Sequence, residues 1–217
     1  AKIDKLNLLY ENEQYLMNKK VDADLITKIN VNSLSFVFEQ NDLMINQLPV
    51  DFKGKFDFIK DGYAMDFIIK SNDSNLKDVF TAFPPKYISW LNKTEIKGKT
   101  DFILTLKGNY IESKKIAPDL SLDLKIRDGF IDYEKSGFPI SNLNLEMKTS
   151  LPSLNPELLI VDTKSISLNI NQDYLKAKLF VKGMNVPEID ATFQSNIDLE
   201  KLNKALGVTN FEVKGKL

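Results

Sequence analysis

The sequence predicts a mainly β protein, a largely antiparallel sheet with two short α-helices. Three observations support this prediction: apolar and polar residues alternate along most of the chain, the joins between alternating segments are short, and only two segments carry a helical pattern. Alternation with a period of two gives a strand one apolar and one polar face. Short joins favour antiparallel neighbours, because a parallel pair needs a long crossover connection.

The alternation is clearest in the second half of the chain. Apolar residues occupy every second position over 120–126, 143–147, 166–170 and 175–181. Similar runs predict further strands over 4–10, 13–17, 21–29, 33–38, 42–48, 50–60, 63–70, 95–107, 130–134, 157–162, 189–197 and 210–217. The sheet is therefore expected to contain more than ten strands.

Turn signals predict where the strands reverse. The Asp-Gly pairs Asp61-Gly62 and Asp128-Gly129 predict two hairpins, because tight hairpin turns need residues that tolerate a positive φ. The Glu-Asn-Glu stretch at 11–13 predicts a third hairpin.

Two segments predict helices within this sheet. The first covers about residues 75–92 and places three apolar residues on one face before a proline pair interrupts it: Leu76, Val79, Phe80 and Pro84-Pro85. The second has Asp198 as its N-cap, three inward leucines and a glycine as its end: Leu199, Leu202, Leu206 and Gly207.

The surroundings of the two helices repeat. Each helix is followed by a strand that begins Glu-Ile-Lys-Gly-Lys or Glu-Val-Lys-Gly-Lys, at 95–99 and 212–216, about 117 residues apart. Repeat-like units are therefore expected near 50–107 and 174–217. No low-complexity linker or charge run divides the chain, so residues 1–217 are predicted to form a single β-rich domain, excised from a longer protein.

The composition excludes most enzyme chemistry. The 217 residues contain no Cys and no His, and Arg127 is the sole arginine. Disulfides, thiol nucleophiles, His-based triads and the common zinc sites are therefore excluded. Lys and Arg (29) balance Asp and Glu (30), which differs from the strongly basic surface of a nucleic-acid-binding protein. The prediction is a protein that is not an enzyme, with no cofactor and no nucleic-acid partner.

The charged residues fit a solvated face. The pairs Asp22/Asp24 and Asp119/Asp123 lie at polar positions of alternating segments, and no Asp-rich loop has the spacing of a calcium site. Lysines occur on nearly every predicted strand. They are explained better by solubility and edge protection than by contact with anionic lipid headgroups.

The apolar surface raises the question of closure. Two short helices cannot cover more than ten strands, so the sheet either closes as a sandwich or barrel, or stays open with apolar surface for a ligand. The most apolar stretch, 80–90, is interpreted as core that covers one end of the sheet, with a lid or lipid-contacting element as the alternative.

Residues 118–133 and 138–145 contain short sequence motifs in a characteristic order. An alternating strand is followed by Asp-Gly, an aromatic strand, a short loop containing proline and the phrase Ile-Ser-Asn-Leu-Asn-Leu. A predicted strand that begins Ile-Lys-Gly-Lys, at 96–104, precedes them. The segment 198–216 ends with a similar motif, Val-Lys-Gly-Lys. This order, over residues 50–217, resembles the C-terminal region of the AsmA-like family, large envelope proteins of Gram-negative bacteria.

The resemblance implies a setting and an architecture. It implies repeating β units that form a curved trough or flattened half-barrel with an apolar floor. The parent protein would be held in the inner membrane by an anchor absent from these residues, with its bulk in the periplasm. Its role would be outer-membrane assembly and, by similarity to bridge-like lipid-transfer proteins, movement of phospholipid between membranes, without catalytic residues.

Seven apolar residues are the predicted lipid contacts: Leu120, Leu122, Leu124, Leu143, Leu145, Ile166 and Leu168. Core packing beneath the helices or a second sheet explains the same residues equally well. Two hypotheses therefore remain. One is a periplasmic module that binds or conducts phospholipid along an apolar β groove; the other is a closed β-sandwich scaffold of the cell envelope without lipid cargo.

Overall fold

One eleven-stranded antiparallel sheet dominates the computed structural model, which describes residues 2–10, 13–82, 91–205 and 214–217. Each strand pairs with the strands that precede and follow it in the chain. The strands are β1 (Lys2–Tyr10), β2 (Glu13–Asn30), β3 (Ser35–Ile45), β4 (Leu48–Ile59), β5 (Gly62–Asn75), β6 (Thr94–Tyr110), β7 (Asp119–Tyr133), β8 (Ile140–Leu151), β9 (Ile160–Ile170), β10 (Asp173–Lys182) and β11 (Glu188–Asn196). The helices are α1 (Leu76–Ala82) and α2 (Leu199–Ala205). The predicted fold class is confirmed, and the sheet is not closed into a barrel.

Successive joins lie at opposite ends of the sheet, because neighbouring strands run in opposite directions. We call the end that carries α1 and α2 the helix end. The other end, which we call the loop end, carries the joins 31–34, 60–61, 111–118, 152–159 and 183–187.

The two Asp-Gly pairs have different outcomes. The hairpin at Asp61-Gly62 is confirmed, since Ile59 pairs with Gly62 across the turn. The hairpin predicted at Asp128-Gly129 is wrong, because both residues lie inside β7, where the register with β8 shifts between Ile126 and Gly129. Asp128 has a φ of 49° there. A β-bulge uses positive φ just as a hairpin turn does, so the dipeptide alone does not distinguish them.

Several predicted strand limits also change. The segments 13–17 and 21–29 are one strand, β2, and 33–38 and 42–48 largely merge into β3. In both cases an asparagine lies at the irregularity: Asn18 has a φ of 52°, and the register of β3 with β4 shifts between Phe38 and Asn41.

One further predicted strand starts later than expected, and two other predictions fall partly outside the described residues. The strand predicted over 157–162 starts only at Ile160, because Pro156–Leu158 forms a 3-10 turn. The predicted third hairpin joins β1 and β2, with Tyr10 opposite Glu13, while residues 11 and 12 lie outside the described residues. The segment predicted over 210–217 is described only from 214, where Lys216 bridges to Asp198.

Bulges lie side by side in the central strands. Residues with positive φ occur at Asp73 in β5, Gly98 in β6, Asp128 in β7 and Asn142 in β8, each at a register shift. A Cβ on Gly98 would come within 2.7 Å of the Gly129 Cα, so a side chain there would collide with the neighbouring strand. Aligned bulges bend and twist a sheet locally.

Arg127 connects these bulges on the polar face. Its guanidinium donates to the Asp101 carboxylate and to Asp73, the latter at 3.1 Å. The Asp73 N–H in turn donates to Asp101 Oδ1 at 2.7 Å. The hydrogen bond from Arg127 is the main reason why the pKa of Asp101 is lowered.

Both helices cover the apolar face at the helix end only. The inner face of α1 and the sheet beneath it form one cluster. Its buried residues are Leu76, Leu91, Ile96 and Ile126, and Phe80, Leu124, Leu143 and Leu145 pack against them. The inner face of α2 and the sheet beneath it form a second cluster. Its buried residues are Ile140, Leu168, Ile170, Ile197 and Ala205. Partly buried residues that pack against them are Ile131, Phe138, Leu143, Leu175, Leu199 and Leu202. The predicted inward positions of Phe80, Leu199 and Leu202 are confirmed.

The two helices begin in matching surroundings. Asp198 accepts a hydrogen bond from the Glu200 N–H at 2.9 Å, which confirms it as the N-cap of α2. Asn75 pairs with Lys99 before α1, and Asp198 bridges to Lys216 before α2. The glycines that precede these lysines, Gly98 and Gly215, have φ values of 118° and 123°. The predicted continuation of the first helix to residue 92 and the predicted end at Gly207 fall largely outside the described residues, apart from a 3-10 turn at Leu91–Lys93.

Candidate functional site

Two neighbouring rows of apolar side chains cross the sheet beyond the reach of both helices. Directly opposed residues in paired strands lie on the same face, so the registers define each row. One row contains Phe52, Ile69, Leu104, Leu122, Thr149, Val161 and Val181, with Thr149 as its polar member. The other contains Phe38, Gly54, Phe67, Leu106, Leu120 and Leu151. We call these two rows the apolar band.

The apolar band is open in the described part of the chain. None of its residues belongs to the cluster beneath α1 or the cluster beneath α2. Its apolar side chains are half-buried, shaded by one another, whereas Ile126 and Ile170 under the helices are buried. The band therefore presents a mainly apolar surface, with Thr149 as a polar member, that the described helices leave uncovered.

The length of the band suits extended apolar ligands. It crosses β3 to β10, and strands about 4.8 Å apart make this distance about 34 Å. One leaflet of a bilayer core is about 15 Å thick, half of about 30 Å, which sets the scale of an acyl chain. The band is long enough for two acyl chains in succession.

Aromatic rings concentrate at one end of the band. Phe38, Phe52 and Phe67 lie with ring centroids 5.1 to 6.2 Å apart. Phe36, Phe56, Phe58 and Tyr63 extend this group toward the loop end. Sequence reasoning did not single out this aromatic cluster, although phenylalanine at every second position of 36–38 and of 56–58 is a usable signal.

The structure divides the seven predicted lipid contacts. Leu120 and Leu122 lie in the apolar band. Ile166 is half-buried on the same face, opposite Leu145 and Ala177. The other four residues lie in the clusters beneath the helices, where helix side chains already cover them: Leu124, Leu143, Leu145 and Leu168.

The opposite face of the sheet is a ladder of paired charges. Lys125 donates to Glu146 at 2.6 Å, and Lys148 donates to Asp123 at 3.1 Å. The hydrogen bond from Lys125 lowers the pKa of Glu146. Asp119 accepts the Ser153 N–H at 2.7 Å, so this carboxylate has a structural partner. At β7 and β8 the polar face is thus a solvated surface with matched charges.

A depression of about 500 Å³ lies on the polar face near β2, β3 and β4. Asp24, Asp42 and Asp51 line it as direct cross-strand neighbours, together with Lys20 and Lys70. Among the residues that the structure describes, no group of three acidic side chains is arranged to hold a metal ion. The depression therefore supplies no candidate metal centre.

Within the described ranges, no helix has the length and apolarity needed to cross a bilayer.

Comparisons with known proteins identify no family for this chain. No family model, no curated protein and no solved structure matches the chain.

Proposed function

We propose that this protein binds the acyl chains of phospholipid, or of another acyl lipid, along the apolar band, without catalysing a reaction. The observation that carries the proposal is the band itself, two rows of half-buried, mainly apolar side chains that the described helices do not cover. Contiguous exposed apolar surface is unusual in soluble proteins and marks sites that bind a partner or ligand.

The chemistry of the band suits acyl chains. Each CH₂ removed from water contributes about 0.8 kcal/mol. From Ile69 through Leu104 and Leu122 the lining is aliphatic and uniform, so a chain could move from strand to strand without a large barrier. The strand faces beside this aliphatic stretch carry paired charges, Lys125 with Glu146 and Lys148 with Asp123, so the predicted preference among headgroups is weak.

The AsmA-like resemblance gives the proposal its cellular setting. On that basis the protein is a module of a periplasmic envelope protein, anchored to the inner membrane by a segment outside these residues. The module would contribute to outer-membrane assembly by holding or conducting phospholipid. A module this size covers part of such a path.

The test is native mass spectrometry with organic extraction of the protein purified without detergent from a bacterial membrane background. We expect co-purified phospholipid, reduced at least fivefold by Leu122→Lys because a charge in the band disrupts its apolar surface. Ser121→Lys is the matched control, since Ser121 adjoins Leu122 on β7 but faces the polar side, opposite Thr105. Equal lipid content in the two variants, or no lipid in the parent protein after incubation with liposomes, would contradict the proposal.

The alternative is an envelope scaffold whose apolar face is covered by protein. A closed sandwich requires a second sheet over the band, and the described residues form one sheet only. A scaffold therefore requires protein from outside the described residues at this position. The same preparation distinguishes the two functions, because a scaffold retains a protein partner and no lipid.

A further inference from the structure

Exposed apolar side chains concentrate at the loop end of the sheet. Val31 and Leu34 lie in the β2–β3 join, and Met184 and Val186 lie in the β10–β11 join. Between them along the same end are Phe58, Tyr63, Tyr110, Ile116, Leu154 and Leu158, all exposed. We call this set the apolar rim. The sheet-forming alternation does not require these residues, because most of them belong to turns.

Two leucines of the apolar rim occupy unfavourable backbone conformations. Leu34 and Leu154 have φ values of 50° and 48°, in the left-handed region. The other non-glycine residues with positive φ in the described ranges are Asn, Asp, Ser and Lys. Asparagine or glycine suits this conformation better than leucine does.

The side chains of these two leucines gain little in return. Leu34 is 47% exposed and Leu154 is 40% exposed, so neither is buried within the protein. The turn before Leu34 is built by Asn30, whose side chain accepts the N–H groups of Asn32 and Ser33. Strain without an internal benefit points to a contact outside the chain.

The rim presents separate apolar tips at successive joins along one end of the sheet. Its joins are separated by two strand spacings, so neighbouring joins are about 10 Å apart and the five joins extend over about 38 Å. Separate apolar tips along a line do not form a groove for a helix or peptide. Such tips suit shallow insertion of single side chains into an apolar environment.

The charges of the rim are balanced. Lys60 adjoins Asp61, and Lys182 faces Glu188 at 3.9 Å. Glu112 lies near Lys114 and Lys115 in the β6–β7 join. The rim thus has no excess of lysine that would favour anionic lipid, and its apolar tips are the main source of any attraction.

We propose that the apolar rim docks on the interface of a lipid bilayer, inserting Leu34, Leu154 and their neighbours among the headgroups. The exposed rings of Tyr63 and Tyr110 fit this interface, where an apolar ring and a polar hydroxyl are both accommodated. The inference does not rest on acyl-chain binding by the band. If both hold, docking brings the aromatic end of the band close to the membrane.

The test is flotation of the protein with large unilamellar vesicles of phosphatidylcholine, with and without 20% phosphatidylglycerol as an added anionic lipid. We expect binding to both vesicle types that changes less than about twofold between low and high salt, since insertion is apolar. The double variant Leu34→Asn, Leu154→Asn is expected to bind about tenfold more weakly. Its thermal midpoint should rise by about 2–4 °C per substitution, because asparagine relieves the backbone strain.

The matched control is Phe180→Thr. Phe180 is 41% exposed, close to the exposure of the two leucines, but it lies on the polar face of β10 opposite Asp162 and Asp190. This variant should float like the parent protein. Absence of parent binding to either vesicle, or unchanged binding of the double variant, would overturn the inference. Loss of a vesicle-free dimer in the double variant, seen by sedimentation, would reassign the rim to contact between copies and overturn it as well.

Discussion

Gly54 shows how a single residue shapes the apolar band. It lies opposite Phe67 in the paired strands β4 and β5. A Cβ at Gly54 would collide with the Asp66 backbone carbonyl oxygen and come within 2.6 Å of the Phe67 Cδ1, so the neighbouring strand and its ring occupy the space that a side chain would need. In the sequence, Gly54 interrupts the alternation of Phe52 and Phe56, and only the register shows that a neighbouring ring fills the gap.

We predict that Gly54→Val lowers the free energy of unfolding by about 1–3 kcal/mol, because overpacking displaces the β5 backbone at Asp66 and the Phe67 ring. Chemical denaturation measures the change. Lys53→Val is the control, since Lys53 is exposed on the polar face and the same substitution there should change stability by less than about 0.5 kcal/mol. A Gly54→Val variant as stable as the control would mean that β5 does not pack closely against this position.

Elements at the helix end were partly predictable. The N-cap at Asp198 and the inward leucines of α2 follow from local signals that the neighbours do not alter. The bulge at Asp128-Gly129 was predicted as a hairpin, because the decision depends on whether the strand continues beside β6 and β8. Pairing is a tertiary property, and the dipeptide reports only the local φ.

The N-cap of α2 is expected to contribute to the stability of the protein. Asp198→Ala removes the acceptor for the Glu200 N–H and is expected to cost about 1 kcal/mol of unfolding free energy. Denaturant titration followed by circular dichroism measures this cost. Asp190→Ala, on the exposed strand β11, should leave the midpoint nearly unchanged. Equal stabilities of the two variants would show that the Asp198 carboxylate does not support α2.

Charge pairing across the whole molecule predicts how stability depends on pH. Hydrogen bonds from lysine or arginine are the main cause of a lowered pKa at five carboxylates: Asp57, Asp101, Glu146, Asp173 and Glu200. A lowered folded-state pKa contributes stability that is present above the unfolded pKa, about 3.9 for Asp and 4.3 for Glu, and is lost as the pH falls through the folded value.

We therefore expect the denaturation midpoint to be nearly constant between about pH 6 and pH 9 and to fall below about pH 4.5. The chain has no His or Cys side chain that would titrate near neutrality. Thermal denaturation over a pH series measures the profile. A midpoint that is the same at pH 3 and pH 7, or a clear transition near pH 6.5, would contradict it.

The sequence predicted that the candidate site is an apolar sheet face. It did not predict which part of that face the helices leave uncovered. Alternation predicted an apolar face, and the register places Leu120 and Leu122 outside the area that the two helices cover. It could not show that α1 and α2 would cover Leu124, Leu145 and Leu168, because the position of a helix over a sheet depends on the whole register. The aromatic cluster was missed for the same reason, since its rings come together from three strands.

The most direct measurement is photo-crosslinking with a phospholipid that carries a diazirine within its acyl chain, followed by peptide mapping. If the apolar band binds acyl chains, adducts will map to band residues such as Phe52, Leu104, Leu122 and Val161. Adducts will be absent from the opposite-face neighbours Lys53, Thr105, Ser121 and Asp162. Adducts confined to the polar face, or spread without preference between the two faces, would contradict the assignment of the band as the lipid-binding site.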